Sequence, residues 1–220
     1  MRNICKTLAR PEVWIGAVVV MILLAGAGIQ PCQAQTIIEE WNSIKTPPPP
    51  ELKQVTINPK TTALLLLDFN SQTCNMKFRP RCVASIPKVR KLLVEARAKG
   101  VAIVYSLSIG ANASDIAPEV APMQGEPVVA SGPDKFLNTD LEKILREKKI
   151  ETVIVTGTAS HGAVLYTASE AALRGFNVIV PVEGSAAESL YAEQYVLWNL
   201  ANAPRISLKT IITKIDWIKY

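Results

Sequence analysis

The stretch from Thr152 to Val180, TVIVTGTASHGAVLYTASEAALRGFNVIV, admits few folds. An unbroken apolar run at Thr152–Thr156 without polar alternation reads as a strand covered on both faces. Gly157 makes a turn, a helix begins near Gly162, and a second strand follows at Asn177–Val180. Two strands separated by one helix are parallel, because an antiparallel pair needs only a short turn. In open sheets of this kind the turn between strand and helix presents backbone N–H groups to a ligand. Gly157-Thr158-Ala159-Ser160-His161-Gly162-Ala163 is therefore the first place to look for chemistry.

The same alternation runs through the chain. Thr61–Leu67 is a second continuous apolar run, and Asp68 stands at its carboxyl end, on the ligand side of a parallel sheet. A polar loop leads to a helix over about 84–99, with Ser85 as its cap, Pro87 in its first turn and Gly100 as its stop. Val101–Leu107 is the next strand. Ser108–Gly132, rich in proline, alanine and glycine, reads as one long loop whose Met123, Gln124 and Glu126 face either the ligand or solvent. Thr139 with Glu142 forms a capping box for a helix reaching about Lys149. After the central stretch come a helix over about Ser189–Asn202 and a strand at Arg205–Ile212. The fold class is α/β, with helices on both faces of a central parallel sheet in three layers.

At 220 residues with 49% hydrophobic content, the chain has material for one sizeable core. Its organisation divides into residues 1–34, 35–60 and 61–220. In the first segment Arg2, Lys6 and Arg10 precede an apolar run, Ile15–Ala27, and small residues at Cys32 and Ala34 suit a signal peptidase. This reads as a secretory signal cut after Ala34, placing the domain in the periplasm or outside the cell; an uncleaved N-terminal membrane anchor is the alternative. Residues 35–60, with Pro47–Pro50, form a Pro-rich lead-in, and 61–220 form the domain.

The formal charge of +5 shrinks once the signal is set aside, and no basic run is interleaved with aromatics, so nucleic acid is not an expected partner. Nor is a membrane, after cleavage. No nucleotide-binding glycine pattern appears, and the chain's single histidine, His161, cannot build a multi-imidazole metal site, so neither cofactor nor metal is expected. Cys74 and Cys82, eight positions apart in an exported chain, read as a loop disulfide. The alternative makes Cys74 a reactive thiol with Cys82 as its resolving partner. Trp198, Trp217 and Tyr220 read as core or interface residues.

An aspartate ending the first strand (LLLLDFN), a lysine in Pro133-Asp134-Lys135-Phe136, and a strand running into Gly157–Ala163 resemble, in that order, the isochorismatase-like cysteine hydrolase superfamily. The resemblance covers about residues 60–215 and implies an isochorismatase-like, Rossmann-like sheet, a small-molecule substrate or ligand and a homo-oligomer. It also implies a triad of Asp68, Lys135 and a cysteine nucleophile, but the nucleophile position here is Ala163. A thiol at a helix start is acidified by the helix dipole and deprotonated by a neighbouring carboxylate. A methyl group has no such chemistry, so amide or nitrile hydrolysis is not expected.

In the isochorismatases of that superfamily a small residue replaces the cysteine, a histidine precedes it by two, and the aspartate acts as general acid on an enol ether. Ser160-His161-Gly162-Ala163 is similar to that pattern. The resemblance further implies a cis peptide at Thr158–Ala159 and a substrate lined by Ala159, Ser160, His161 and Gly162. Two functions follow as expectations: an exported hydrolase working through Asp68 acid/base chemistry on an enol ether or related small carboxylate, or a binding protein that keeps the pocket without the chemistry.

Overall fold

The computed structural model describes residues 36–220. The expected secretory signal lies outside the described residues. Residues up to Thr46 belong to a separate unit from Pro47–Tyr220. In the first, one helical turn, α1 (Ile37–Glu40), is closed by a Thr36–Glu39 capping box.

The second unit is built on β2 (Thr62–Leu67), β3 (Ala102–Ser108), β4 (Val128–Ser131), β5 (Thr152–Thr158), β6 (Asn177–Pro181) and β8 (Thr210–Thr213). They lie in the order β4-β3-β2-β5-β6-β8, every neighbouring pair parallel, and β7 (Ser185–Ala186) adds to the end of β5. The chain winds outward in one direction from β2 to β4, crosses back to β5 and winds outward in the other direction. The order therefore reverses between β2 and β5, which places the ligand crevice of such a sheet at their carboxyl ends.

The four leucines explain why this sheet is central. Side chains alternate across a strand, so Leu64 and Leu66 pack in one core with α2 (Pro80–Ala98), through Ile86, Val89, Leu92 and Leu93. Leu65 and Leu67 pack in the other core, with α3 (Leu141–Glu147), α4 (Leu165–Leu173) and α5 (Leu190–Asn202). All four are essentially inaccessible. Fully burying each is worth about 1.5–3 kcal/mol. Strand β5 comes so close to β2 that a Cβ on Gly157 would lie 2.3 Å from the Leu67 carbonyl oxygen, and its φ of +144° also requires glycine.

Several local readings are corrected. Helix α2 starts at Pro80, whose fixed φ suits the first helical position. Ser85 is no cap; its hydroxyl donates to the Cys82 carbonyl, and Pro87 sits inside the helix on its exposed side. The Thr139–Glu142 capping box does not form. Thr139 Oγ1 accepts from the Leu141 N–H, while Glu142 is drawn away to Arg146 and Arg174. The segment 108–132 is not all loop: after two short helical turns it ends in β4, an edge strand on β3. The last sheet strand begins at Thr210, later than Arg205, because residues 204–209 form turns.

The Pro-rich lead-in contributes β1 (Val55–Thr56), which pairs in parallel with β9 (Ile218–Lys219). Tyr220 packs against the core beside it, whereas Trp198 on α5 is 39% exposed. Cys74 and Cys82 are joined in a disulfide, with Cα atoms 5.4 Å apart, so Cys74 carries no free thiol. Replacing both cysteines by alanine is expected to cost about 2–3 kcal/mol in urea unfolding, the usual worth of closing a short loop. An unchanged midpoint would show that the polar loop is held by other contacts.

Candidate functional site

The carboxyl ends of β2, β3, β4 and β5 surround a cleft of about 380 Å³. Asp68 lines it from the end of β2, Ser108 from β3, Ser131 from β4, Thr158 from the end of β5, and Ala159, His161, Gly162 and Ala163 from the turn that follows. This is the switch point that the strand order defines. Asp68 takes a left-handed φ of 55°, a conformation that Asp adopts more readily than most residues, and is 6% exposed.

Two groups grip its carboxylate. Ser106 Oγ on β3 donates to Oδ1 at 2.8 Å, and Lys135 Nζ lies 2.8 Å from Oδ2. Lys135 is fully buried, and its ammonium also donates to the carbonyls of Leu107 at 3.3 Å and Ser131 at 3.2 Å. An ammonium has three donors, so all three are spent inside the protein. Burial pushes the Asp68 carboxyl above its ordinary range; the charge of Lys135, hydrogen bonds from Lys135 and Ser106, and the more distant Arg79 oppose that shift without cancelling it.

The turn after β5 opens with a cis peptide between Thr158 and Ala159. The Gly162 N–H donates to the Ala159 carbonyl at 2.9 Å and the Val164 N–H to the same oxygen at 3.3 Å, winding a wide turn before α4. Ala163 is 4% exposed, and its methyl is the only side-chain group it brings to the cleft. Ser160 differs from expectation: its side chain is completely buried, exchanges a hydrogen bond with Ser185 Oγ at 2.8 Å, and is not among the residues lining the cleft. Met123, Gln124 and Glu126 are also absent from the lining. Glu126 instead pairs with Arg97 on α2, at 2.7 and 2.8 Å.

Two charged residues at the cleft were not singled out from the sequence. Arg79, in the disulfide-closed loop, lines it. Glu188 stands beside it, 3.5 Å from Arg79 Nε and 3.3 Å from His161 Nε2. Burial would raise the Glu188 carboxyl, but its own backbone N–H, His161 and Arg79 outweigh burial and hold it below the usual range. The three form a partly exposed polar rim in which Arg79 and Glu188 carry opposite charges. Among the described residues, no group of three or more His, Cys, Asp or Glu side chains is placed to hold a metal ion.

A parallel sheet covered on both faces, with a cleft at its switch point lined by an aspartate that a buried lysine holds from behind, defines a Rossmann-like α/β protein built to act on or hold a small molecule. The chain belongs to the isochorismatase family of hydrolases, its residues 62–210 matching the Isochorismatase domain model. It is 29% identical to an N-carbamoylsarcosine amidase of Arthrobacter over 126 residues, a match covering 44% of this chain and 48% of that protein. The chain thus spans about half the length of that relative. It is 28% identical to the secreted isochorismatase effector Isc1 of Verticillium dahliae over 137 residues, covering 57% of this chain and 72% of the effector.

Among solved structures, an isochorismatase-like hydrolase from Alkaliphilus metalliredigens superposes with a TM-score of 0.64 at 25% identity, over 71% of this chain and 95% of that one. A cysteine hydrolase from Pseudomonas syringae pv. phaseolicola gives a TM-score of 0.66 at 20% identity, over 76% and 94% of the two chains. At that identity the second likeness speaks for the fold.

Proposed function

We propose that the chain is an exported hydrolase of this family that works without a cysteine nucleophile, cleaving an enol ether that carries a carboxylate. One observation carries the reading: a single cleft holds Asp68, with its carboxyl pushed up by burial, and Ala163, which offers only a methyl group. In this reading Ala163 occupies the family's nucleophile position, and no acyl intermediate can form there. The cleft hydroxyls do not substitute for a thiol: those of Thr73, Ser131 and Thr158 donate to main-chain carbonyls, and Ser108 Oγ accepts from Asn70 Nδ2, with no histidine or carboxylate among the described residues hydrogen-bonded to it to take its proton.

Enol ether hydrolysis needs no nucleophilic side chain. Asp68 in its acid form gives a proton to the terminal vinyl carbon, and the ether oxygen shares its lone pair with the cation that results. Water adds to the carbon that bears the ether oxygen and returns a proton to Asp68. The hemiketal then collapses with proton transfer to the leaving oxygen, releasing an alcohol and a keto acid. Lys135 and Ser106 stabilise the carboxylate that Asp68 becomes, so burial and the ion pair play opposite and complementary roles. The N–H groups of Ala159 and Ala163 serve the oxygen that gathers charge as the hemiketal collapses. Ala159, His161 and Gly162 line the substrate, and Ser160 supports the turn from behind.

Export is supported by the disulfide, which suits an oxidising compartment, and by the likeness to a secreted effector. A second reading, a binding protein without turnover, draws on the same ion pair, since Lys135 and Ser106 also favour a permanently ionised Asp68.

The test is a substrate panel of a carboxylated enol ether, a primary amide and a carboxylic ester, with Asp68→Asn as control. Turnover of the ether alone, lost in the control, is the expected outcome. Amide turnover contradicts the nucleophile-free reading, and binding of the ether without turnover establishes the second one.

A further inference from the structure

The ion pair that anchors Asp68 leaves Lys135 with no donor for a ligand, since its three N–H bonds end on Asp68, Leu107 and Ser131. A carboxylate entering the cleft must find another cation, and Arg79 is the arginine that lines it. Its guanidinium is set from behind. Nη1 donates to the Thr73 carbonyl at 3.1 Å, the backbone N–H donates to the Asn75 carbonyl at 2.9 Å, and the Cys74–Cys82 bond closes the loop around it.

Its Nε is inaccessible to solvent and has no hydrogen-bond partner. The nearest carboxylate oxygen, on Glu188, stands at 3.5 Å, beyond the range of a normal N–H···O bond, and Glu188 divides its charge between Arg79 and His161. A ligand entering by the cleft cannot reach that closed-off Nε, but the Nη edge is open to it: Nη2 makes no hydrogen bond among the described residues, and Nη1 keeps one N–H beyond its bond to Thr73. The flat fork of a guanidinium matches a carboxylate with two parallel hydrogen bonds, which an ammonium cannot do.

We propose that Arg79 is the specificity-determining residue of the cleft and binds the carboxylate of an organic acid, with Glu188 as an internal competitor for that guanidinium. The inference deepens the hydrolase reading by naming the anchor of its substrate, and it rests on that reading only for the use of the same cleft. The Cys74–Cys82 loop acts through Arg79 as a positioning device, holding the fork beside Asp68, Gly162 and Ala163.

The probes are phenoxyacetate, a carboxylate bearing a stable ether, and its neutral analogue phenoxyacetamide, titrated calorimetrically. Wild type is expected to bind the carboxylate more tightly than the amide by about tenfold or more. Arg79→Met should weaken phenoxyacetate binding by about 10- to 100-fold and leave phenoxyacetamide unchanged, with Arg79→Lys recovering part of the loss. Glu188→Gln, which removes the competitor, should tighten phenoxyacetate binding.

A merely structural arginine would lower both affinities together. That result overturns the proposal, as does no detectable binding of phenoxyacetate by wild type. If Arg79→Met does not fold, Arg79→Lys and Glu188→Gln still decide: no change in carboxylate preference in either overturns the assignment. Carboxylate selectivity that depends on Arg79, in a protein without ether turnover, upholds Arg79 and sinks the hydrolase reading. Ether turnover with unchanged KM in Arg79→Lys does the reverse.

Discussion

Lys135→Met is expected to lower the unfolding free energy by about 3–5 kcal/mol, because it strands the Asp68 carboxylate in a buried site without its cation. Ser106 would remain as the donor to Oδ1, which is not enough for a group that burial already pushes towards its neutral form. The double variant Asp68→Asn, Lys135→Met should recover most of the loss, since it buries no charge. Asparagine is the right partner for that experiment because it tolerates the left-handed φ of 55° at this position. Urea unfolding of the four proteins gives the coupling between the two side chains directly. Coupling near zero would mean that the pair is hydrated and that the cleft is wetter than its burial implies.

The second large effect is on turnover. Asp68→Asn should reduce kcat by about 10²–10⁴-fold, the usual contribution of a positioned general acid. The pH profile carries a sign that separates acid from base. Asp68 must enter the reaction protonated, so wild-type activity should fall as pH rises through its folded pKa, which lies above 3.8. Stability follows the same direction. A carboxyl with a raised folded pKa holds its proton longer in the native state than in the unfolded one. Its contribution is therefore fully present below 3.8 and is lost as pH rises through the folded value. Activity that instead rose with pH over this range would make Asp68 a base.

The parts of the fold that were legible in the sequence share a physical cause. Strands β2 and β5 are buried on both faces, so their sequences are almost wholly apolar and could not be mistaken for surface elements. Asp68 was legible because a carboxylate that ends such a strand stands at the ligand side of the sheet, and Lys135 because of the motif around it. The errors arose where local signals competed. Ser85 and Pro87 imitate a helix start, yet Pro80 satisfies the first-turn geometry earlier and the disulfide ties that turn down. Thr139 and Glu142 have capping-box spacing, but Arg174 offers Glu142 a stronger partner from α4's end. Strand β4 is short, lies at the edge and follows a proline, so its alternating burial was too brief to register.

Arg79 and Glu188 are the instructive omissions. They meet only after the sheet brings the loop behind β2 to the segment behind β7, and neither carries a local pattern that says so. The only signal was indirect: a cation inside a loop that two cysteines close, immediately after the strand that delivers Asp68. Ser160 errs in the opposite sense, since it sits in the ligand turn but points into the protein and bonds to Ser185.

The most direct test of proton-first, nucleophile-free chemistry is to hydrolyse the carboxylated enol ether in water enriched in heavy oxygen and weigh the released alcohol. Protonation at the terminal vinyl carbon, followed by water addition to its oxygen-bearing neighbour, leaves the bond between the alcohol carbon and its oxygen untouched. The account predicts alcohol of ordinary mass. Heavy oxygen in the alcohol would place the attack on the other side of the ether, and Asp68 could not be the acid that starts the reaction at the vinyl carbon.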